Sequence, residues 1–149
     1  MNSNISFWLN SPLSTAIIAW FIAQFIKVLK EILFSKKIDF RRFVGSGGMP
    51  SSHSAIVTAL ATSIGFCDGF RSSTFAITVI FSLIVMYDAA GVRRAAGQQA
   101  KILNKIVDDW GHASVSDTEK KLKELIGHTP KEVFVGALLG IVVAVLRYF

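Results

Sequence analysis

Apolar residues fall into four long blocks along the chain, and polar stretches separate the blocks. The third block is an almost unbroken run of Phe, Ile, Val and Leu, whereas the second is short and rich in Ala, Ser and Thr. A helix of about 20 apolar residues crosses a bilayer, so the blocks predict membrane spans, the second of them packed inside the bundle. The pattern predicts an all-α fold, a polytopic helical membrane bundle of about four transmembrane helices at residues 13–34, 54–67, 74–90 and 132–149.

Two polar stretches connect the predicted spans on the same side. Residues 36–50 form a basic, Gly-rich loop, and residues 91–130 form a polar insert. The insert is predicted to contain, in order, a helix, an exposed loop and a short helix, at residues 93–107, 108–117 and 120–126. Four spans threaded as a single domain, residues 1–149, place both termini on one face and both polar stretches on the other. Short polar helices are therefore expected at that second face.

Composition and charge agree with a membrane location. The chain is 52% hydrophobic and only 17% charged, which is unusual for a soluble domain of 149 residues. The net charge of +6 favours anionic head groups or phosphorylated ligands. Nucleic acid is not an expected partner, because the basic residues lie between apolar blocks and no nucleic-acid motif occurs. The first twelve residues hold no Lys or Arg, which argues against a cleaved signal and for a retained anchor.

The distribution of positive charge predicts an orientation. Of the 16 Lys and Arg residues, only Arg71 and Arg147 lie on the face that carries the termini. The positive-inside rule then places the other, basic face in the cytoplasm. A basic active site would add positive charge to that face whatever its orientation, so the rule is not decisive here. The single cysteine, Cys67, allows neither an intrachain disulfide nor a zinc-thiolate cluster.

The first candidate motif is Gly-Ser-Gly-Gly-Met-Pro-Ser-Ser-His-Ser, residues 45–54. Glycines such as Gly48 permit tight backbone curvature, and Pro50 suits the first turn of a helix. Backbone N–H groups at a helix N-terminus bind phosphate, and the hydroxyls of Ser51 and Ser52 can add donors. His53 can exchange a proton near neutral pH. An ordinary Gly-rich turn with serine caps explains the same string equally well.

The second candidate motif is Gly-His-Thr-Pro-Lys-Glu, residues 127–132. Thr129 as N-cap, Pro130 as first helical residue and Glu132 as third would form a capping box. Glu132 could also accept a hydrogen bond from one nitrogen of His128, which fixes the tautomer and leaves the other nitrogen as a nucleophile. The two interpretations are compatible. The four-span topology places His53 and His128 on the same membrane face.

A set of cations surrounds these motifs. Phosphoryl transfer depends on positioning and on cations that hold phosphate oxygens, and arginine forks match those oxygens in bidentate fashion. Arg93 or Arg94 could instead pair with Asp88, the carboxylate at the end of the third block. An alternative metal site at Asp108, Asp109 and His112 is less simple than an exposed acidic loop. The candidate phosphate-binding cations are Lys27, Lys36, Lys37, Arg41, Arg42, Arg93, Arg94 and Lys123.

These strings resemble those of a known superfamily. Pro-Ser-Ser-His at 50–53 resembles the Pro-Ser-Gly-His motif of the type 2 phosphatidic acid phosphatase and vanadium haloperoxidase superfamily. The run from His128 to Gly140 is similar to its last motif, in which a His-x-Pro-x-Asp-Val run opens a Gly-containing helix. Tyr-Asp-Ala-Ala-Gly-Val-Arg-Arg-Ala-Ala-Gly at 87–97 is similar to the divergent branch. The resemblance covers about residues 16–140.

The resemblance implies a function and assigns roles. It implies a metal-independent, acid phosphatase-like hydrolase of a phosphoric monoester or pyrophosphate, without cofactor, that acts on a membrane lipid or isoprenoid phosphate. His128 would be the nucleophile that forms a phosphohistidine, His53 the general acid and Glu132 the orienting carboxylate. The alternative is a catalytically inactive member that binds phospholipid or polyprenyl phosphate or scaffolds a membrane complex. A third hypothesis is that the protein is a small transporter or a channel subunit.

Several positions depart from the superfamily pattern. Ser52 replaces the motif glycine and adds a side chain where backbone should approach phosphate. The first motif, Lys followed by Arg-Pro, has no clean match, since Arg42 precedes Phe43. The Ser-Arg pair expected shortly before the nucleophile is absent, and Arg93 or Arg94 is its candidate substitute. Gly136 and Gly140 form a Gly-x-x-x-Gly pair that predicts close helix packing and suggests a homodimer.

Overall fold

The computed structural model describes residues 11–35, 48–110 and 127–149. Every regular element in these ranges is an α-helix. The helices are α1 (Pro12–Ser35), α2 (Ser52–Asp68), α3 (Ser73–Ala90), α4 (Val92–Trp110) and α5 (Pro130–Tyr148). The all-α prediction is confirmed, and α1, α2, α3 and α5 coincide with the four apolar blocks.

The helix α2 is the centre of the bundle. The helices α1, α3 and α5 all pack against it, and α5 also contacts α1. No Cα atom of α1 lies within 8 Å of a Cα atom of α3, so the backbones of these two helices flank α2 without approaching each other closely. The prediction that the second apolar block is packed inside the bundle is therefore confirmed.

Small side chains fill the interior and large ones cover the outside. The fully buried positions are mainly alanines, such as Ala19, Ala23, Ala55 and Ala59, together with serines and threonines. Large apolar side chains are exposed along α1, α3 and α5, for example Phe21, Phe25, Ile77, Ile84 and Leu146. In water this arrangement would expose an apolar surface far larger than a soluble monomer tolerates. It is the distribution expected of helices that pack through small residues within hydrocarbon.

The Gly-x-x-x-Gly pair of α5 packs inside the chain. Gly136 and Gly140 are buried against α2. A Cβ atom at Gly136 would overlap the carbonyl oxygen of Ser51, and one at Gly140 would overlap the carbonyl oxygen of Ala55 and the hydroxyl of Thr58. The predicted close approach is confirmed. The surface suggested for a homodimer is, however, already occupied by α2, so these two glycines cannot provide a dimer interface.

The helices α3 and α4 follow each other almost without interruption. The Gly91 N–H donates to the carbonyl of Tyr87 and the Ala95 N–H to that of Gly91, so helical hydrogen bonds run through the junction. The stretch from Ser73 to Ile106 is the one helical stretch, among the residues described, that is long and apolar enough by itself to cross a membrane. The predicted helix of the polar insert is confirmed. It ends at Trp110, so the loop predicted from Asp108 starts too early.

Candidate functional site

The N-terminus of α2 carries the first motif. Gly48 has a φ of 83°, which favours glycine, and Pro50 is buried just before the helix. The N-cap is Ser51, so Pro50 lies before the helix and not within its first turn. The hydroxyl oxygen of Ser51 accepts the Ser54 N–H at 3.3 Å. The expectation that Pro50 lies in the first turn is therefore wrong by two positions. The first helical residues are Ser52 and His53.

The N-terminus of α5 carries the second motif and is capped as predicted. The Thr129 hydroxyl accepts the Glu132 N–H at 3.4 Å, and Glu132 Oε2 accepts the Thr129 N–H at 3.1 Å. Glu132 Oε2 also lies 3.2 Å from Nδ1 of His128. One carboxylate thus closes the capping box and holds the imidazole. Both interpretations of this string hold in the same geometry.

Backbone hydrogen bonds bring the two motifs together. The Ser51 N–H donates to the carbonyl of Glu132 at 3.0 Å, which ties the start of α2 to the start of α5. The His128 N–H donates to the carbonyl of Ala89 at 3.1 Å, which ties the His128 segment to the end of α3. As a result, the rings of His53 and His128, far apart in sequence, lie with their centroids 5.9 Å apart.

The imidazole of His128 is buried and oriented. Its side chain is 1% exposed. A carboxylate only accepts hydrogen bonds, so Glu132 fixes the proton on Nδ1 and leaves the lone pair on Nε2. Within the described residues, His128 Nε2 and His53 Nδ1 are buried nitrogens without a hydrogen-bond partner. Buried polar atoms are nearly always paired, so these two nitrogens are available to a polar ligand or a water molecule.

Cations from two helices act on the imidazoles. Lys27 of α1 donates from Nζ to the hydroxyl of Ser52 at 3.2 Å, so this lysine faces the polar site and not the outside of the bundle. Arg93 of α4 pairs through Nε with Asp88 at 2.8 Å, which confirms the predicted partner of Asp88. Both side chains of that pair are more than 40% exposed, so the pair contributes little to stability.

Of the remaining predicted phosphate ligands, Ser51 and Arg94 lie within the described residues. Ser51 is fully buried, and its N–H and hydroxyl oxygen are engaged in the helix cap and in the contact with α5. Arg94 is exposed and is not among the charges that shift either imidazole. The other predicted cations lie outside the described residues: Lys36, Lys37, Arg41, Arg42 and Lys123. His112 of the alternative metal site also lies outside them.

The electrostatics of the site favour neutral imidazoles. Burial lowers the pKa of His53, and the positive charges of Arg93 and Lys27 lower it further, against a smaller opposing effect of Asp88. Burial also lowers the pKa of His128, although the hydrogen bond to Glu132 opposes this change. Two imidazoles, the carboxylates of Glu132 and Asp88 and the cations of Lys27 and Arg93 therefore act on one another at this end of the bundle. Such an arrangement can offer a nucleophilic nitrogen, a proton donor and cationic ligands to one phosphate.

The fold and the site define a helical membrane protein with paired histidines at the start of two adjacent helices. Comparison with known proteins agrees: the profile of the divergent PAP2 family matches residues 8–143. The chain belongs to that family. It is 46% identical to the uncharacterized membrane protein YuiD of Bacillus subtilis (strain 168), over 94% of this chain and 96% of that protein. No solved structure shows a significant match.

Two features of the site were not predicted from the sequence. One is the contact between Lys27 and Ser52, which joins α1 to the motif at residues 50–53. Ser52 is the position at which the superfamily motif has glycine. The other is Gly127, where a Cβ atom would overlap the backbone of Arg94. Gly127 lets the His128 segment approach the junction of α3 and α4. The glycine directly before His128 could have indicated this close approach from the sequence. No neighbouring residue in the sequence indicates the contact between Lys27 and Ser52.

Proposed function

We propose that this protein is an integral membrane phosphatase that hydrolyses a lipid or isoprenoid phosphate through a phosphohistidine intermediate. The observation that carries the proposal is the convergence of His53 and His128, 5.9 Å apart, with an oriented and unpartnered Nε2 on His128. Membership of the divergent PAP2 family supports it. The site residues need no metal or other cofactor for this chemistry.

The proposed reaction has two displacements at phosphorus. In the first, His128 Nε2 attacks, the bond from phosphorus to the leaving oxygen breaks, and protonated His53 gives its proton to that oxygen. In the second, water attacks the phosphohistidine, neutral His53 takes a proton from it, and the P–N bond breaks to release inorganic phosphate. Glu132 holds the His128 ring and stabilises the positive charge that develops on it.

Cations and hydroxyls hold the phosphate during both steps. Lys27 and Arg93 are the described cations that act on both imidazoles, and Ser52 presents its hydroxyl beside Lys27. Arg41, Arg42, Arg94 and Lys123 are further candidate ligands from the same basic face. The side chain of Ser52, where the superfamily has glycine, supplies a hydroxyl in place of open backbone. It also anchors the lysine that α1 contributes.

The membrane arrangement proposed is four spans, at residues 13–34, 54–67, 74–90 and 132–149, formed by α1, α2, α3 and α5. His53 and His128 lie just outside these spans, at one membrane interface. The exposed apolar side chains of α1, α3 and α5 support several spans. The α2 helix is surrounded by the other helices and therefore needs fewer large apolar side chains on its surface. We propose that the site-bearing face lies in the cytoplasm, since nearly all Lys and Arg residues belong to that face.

The test is phosphate release by the purified protein in nanodiscs, over a panel of lipid and isoprenoid phosphates. Rapid acid-free quenching with labelled substrate should trap label on the protein in an acid-labile, base-stable form, and peptide mapping should locate it on His128. Saturable binding of the same lipids, with neither release nor labelling, would contradict the enzyme proposal. That result would establish the alternative, an inactive member that binds phospholipid or polyprenyl phosphate.

The lowered pKa values of both histidines predict an acidic pH optimum. The first step requires neutral His128 and protonated His53, so kcat/KM rises with pH through the pKa of His128 and falls through that of His53. Since both lie below the usual 6.5, the falling limb should begin on the acid side of that value. A profile from about pH 4 to pH 8 measures this.

An activated leaving group provides the control for the pH profile. A p-nitrophenyl phosphate ester leaves without a proton, so protonated His53 is no longer required and the falling limb should flatten. The rising limb, set by the nucleophile, should remain. A profile that keeps rising above pH 7 with alkyl phosphates would contradict the role of His53.

A further inference from the structure

One face of α2 is left open by the other described helices. The α5 helix packs on the Ser51 and Ala55 carbonyls, and α3 reaches the Val57 carbonyl through the hydroxyl of Ser82 at 3.0 Å. The α1 helix approaches through Lys27 at Ser52 and through the core contact of Ala19 with Ala59. The backbones of α1 and α3 do not approach each other closely, and the space between them, with α2 as its floor, is called the cleft below.

The floor of this cleft is a regular stripe of side chains. His53, Ile56, Leu60 and Ile64 follow one another at spacings of three or four residues and therefore share one face of α2. From Ser52 to Ala61, the three members in that range are the only half-buried positions, and all the others are buried. The stripe is thus the part of α2 that remains accessible between its neighbours.

The two ends of the stripe differ in chemistry. At one end, His53 belongs to the basic site, next to His128 and within the electrostatic reach of Lys27 and Arg93. Beyond it, the stripe is purely aliphatic. With a rise of 1.5 Å per residue, Ile64 lies about 16 Å from His53 along the helix axis. A cationic site continuous with an aliphatic stripe of this length matches an amphiphile with an anionic head.

We infer that the cleft between α1 and α3 binds the hydrocarbon chain of a phosphate-bearing lipid, with the chain along Ile56, Leu60 and Ile64 and the phosphate at His53 and His128. The inference rests on the proposed phosphate site for the position of the head group. A lipid in a bilayer already has its head at the interface and its chain along the helices. The ligand therefore enters sideways from the membrane without turning, and chain length becomes a determinant of affinity.

The test compares butyl phosphate with hexadecyl phosphate on the wild type and on Leu60→Trp. The indole should fill the cleft about 10 Å from His53, farther than a butyl chain extends from the phosphate. We expect the half-saturating concentration of hexadecyl phosphate to rise about tenfold or more, because each methylene displaced from an apolar site weakens binding. That of butyl phosphate should stay unchanged. Leu83→Trp, at an exposed position of α3, is the matched control and should alter neither.

A second measurement separates this inference from the proposed phosphatase activity. A hexadecyl phosphate with a diazirine at the end of its chain is photolysed on the protein in nanodiscs, and the labelled peptide is mapped. Labelling within residues 56–64 supports the cleft even where no phosphate is released, in which case only the enzymatic proposal fails. Phosphate release with equal effects of Leu60→Trp on both chain lengths, or labelling confined to the outer surfaces of α3 and α5, overturns the cleft and leaves the phosphatase standing. Ile64→Trp provides the same readout where Leu60→Trp does not fold.

Discussion

Replacement of His128 by alanine should reduce phosphate release at least about a thousandfold, because it removes the nucleophile of the first displacement. No other described side chain offers a buried nitrogen with a lone pair fixed by a carboxylate at this position. Direct attack by water, with Lys27 and Arg93 still in place, would account for the residual rate. The measurement is kcat with a lipid phosphate, together with the loss of acid-labile label from the protein.

The structure suggests how to separate loss of chemistry from loss of folding. The backbone N–H of His128 binds Ala89 and is untouched by the substitution, and Glu132 keeps its hydrogen bond from the Thr129 N–H. His128→Asn retains a donor for Glu132 but not a nucleophile, so it should be as inactive as His128→Ala and more stable. His112→Ala removes a histidine that the mechanism does not use and should retain activity. Substantial turnover by His128→Asn would exclude the phosphohistidine.

Helix positions could be predicted from the sequence because each boundary has a local cause. The predicted spans agree with the observed helices within two residues at every end. Ser72, Thr129 and Pro130 mark helix starts through their capping chemistry, and Gly69 and Gly91 mark helix ends. The four-span threading then placed His53 and His128 on one face. The contact between the two rings agrees with that prediction.

Contacts between helices were harder to predict, because they depend on the rotation and register of each helix. The spacing of Gly136 and Gly140 predicted that another helix packs closely against α5. The same spacing is compatible with a helix of this chain or with a helix of a second copy. The sequence also grouped Ser51 with Ser52. The structure separates them, since Ser51 caps the helix while Ser52 meets Lys27 from α1. Only the relative placement of α1 and α2 decides which serine faces the site.

Replacement of Gly140 by alanine should destabilise the protein by about 2 kcal/mol, although alanine is the better helix former. In a helix interior, alanine gains about 1 kcal/mol over glycine. Overpacking costs about 1–3 kcal/mol, and more where the obstacle cannot rotate away. Here the added methyl would meet the backbone carbonyl of Ala55 and the hydroxyl of Thr58. Steric cost therefore exceeds the gain in helix propensity, and the unfolding midpoint in mixed detergent micelles should fall.

The same substitution should also reduce activity, because the packing of α5 on α2 positions the site. Thr58 donates to the carbonyl of Ala137 at 3.0 Å, so relief of the overlap by moving α5 outward would stretch that bond. The movement would pass along α5 to Glu132, whose carbonyl holds Ser51 and whose carboxylate holds His128. Val142→Leu, which adds a methylene on the exposed side of α5, is the control and should change neither stability nor turnover. A Gly140→Ala protein as stable as the wild type would show that α2 and α5 are not held together at this glycine.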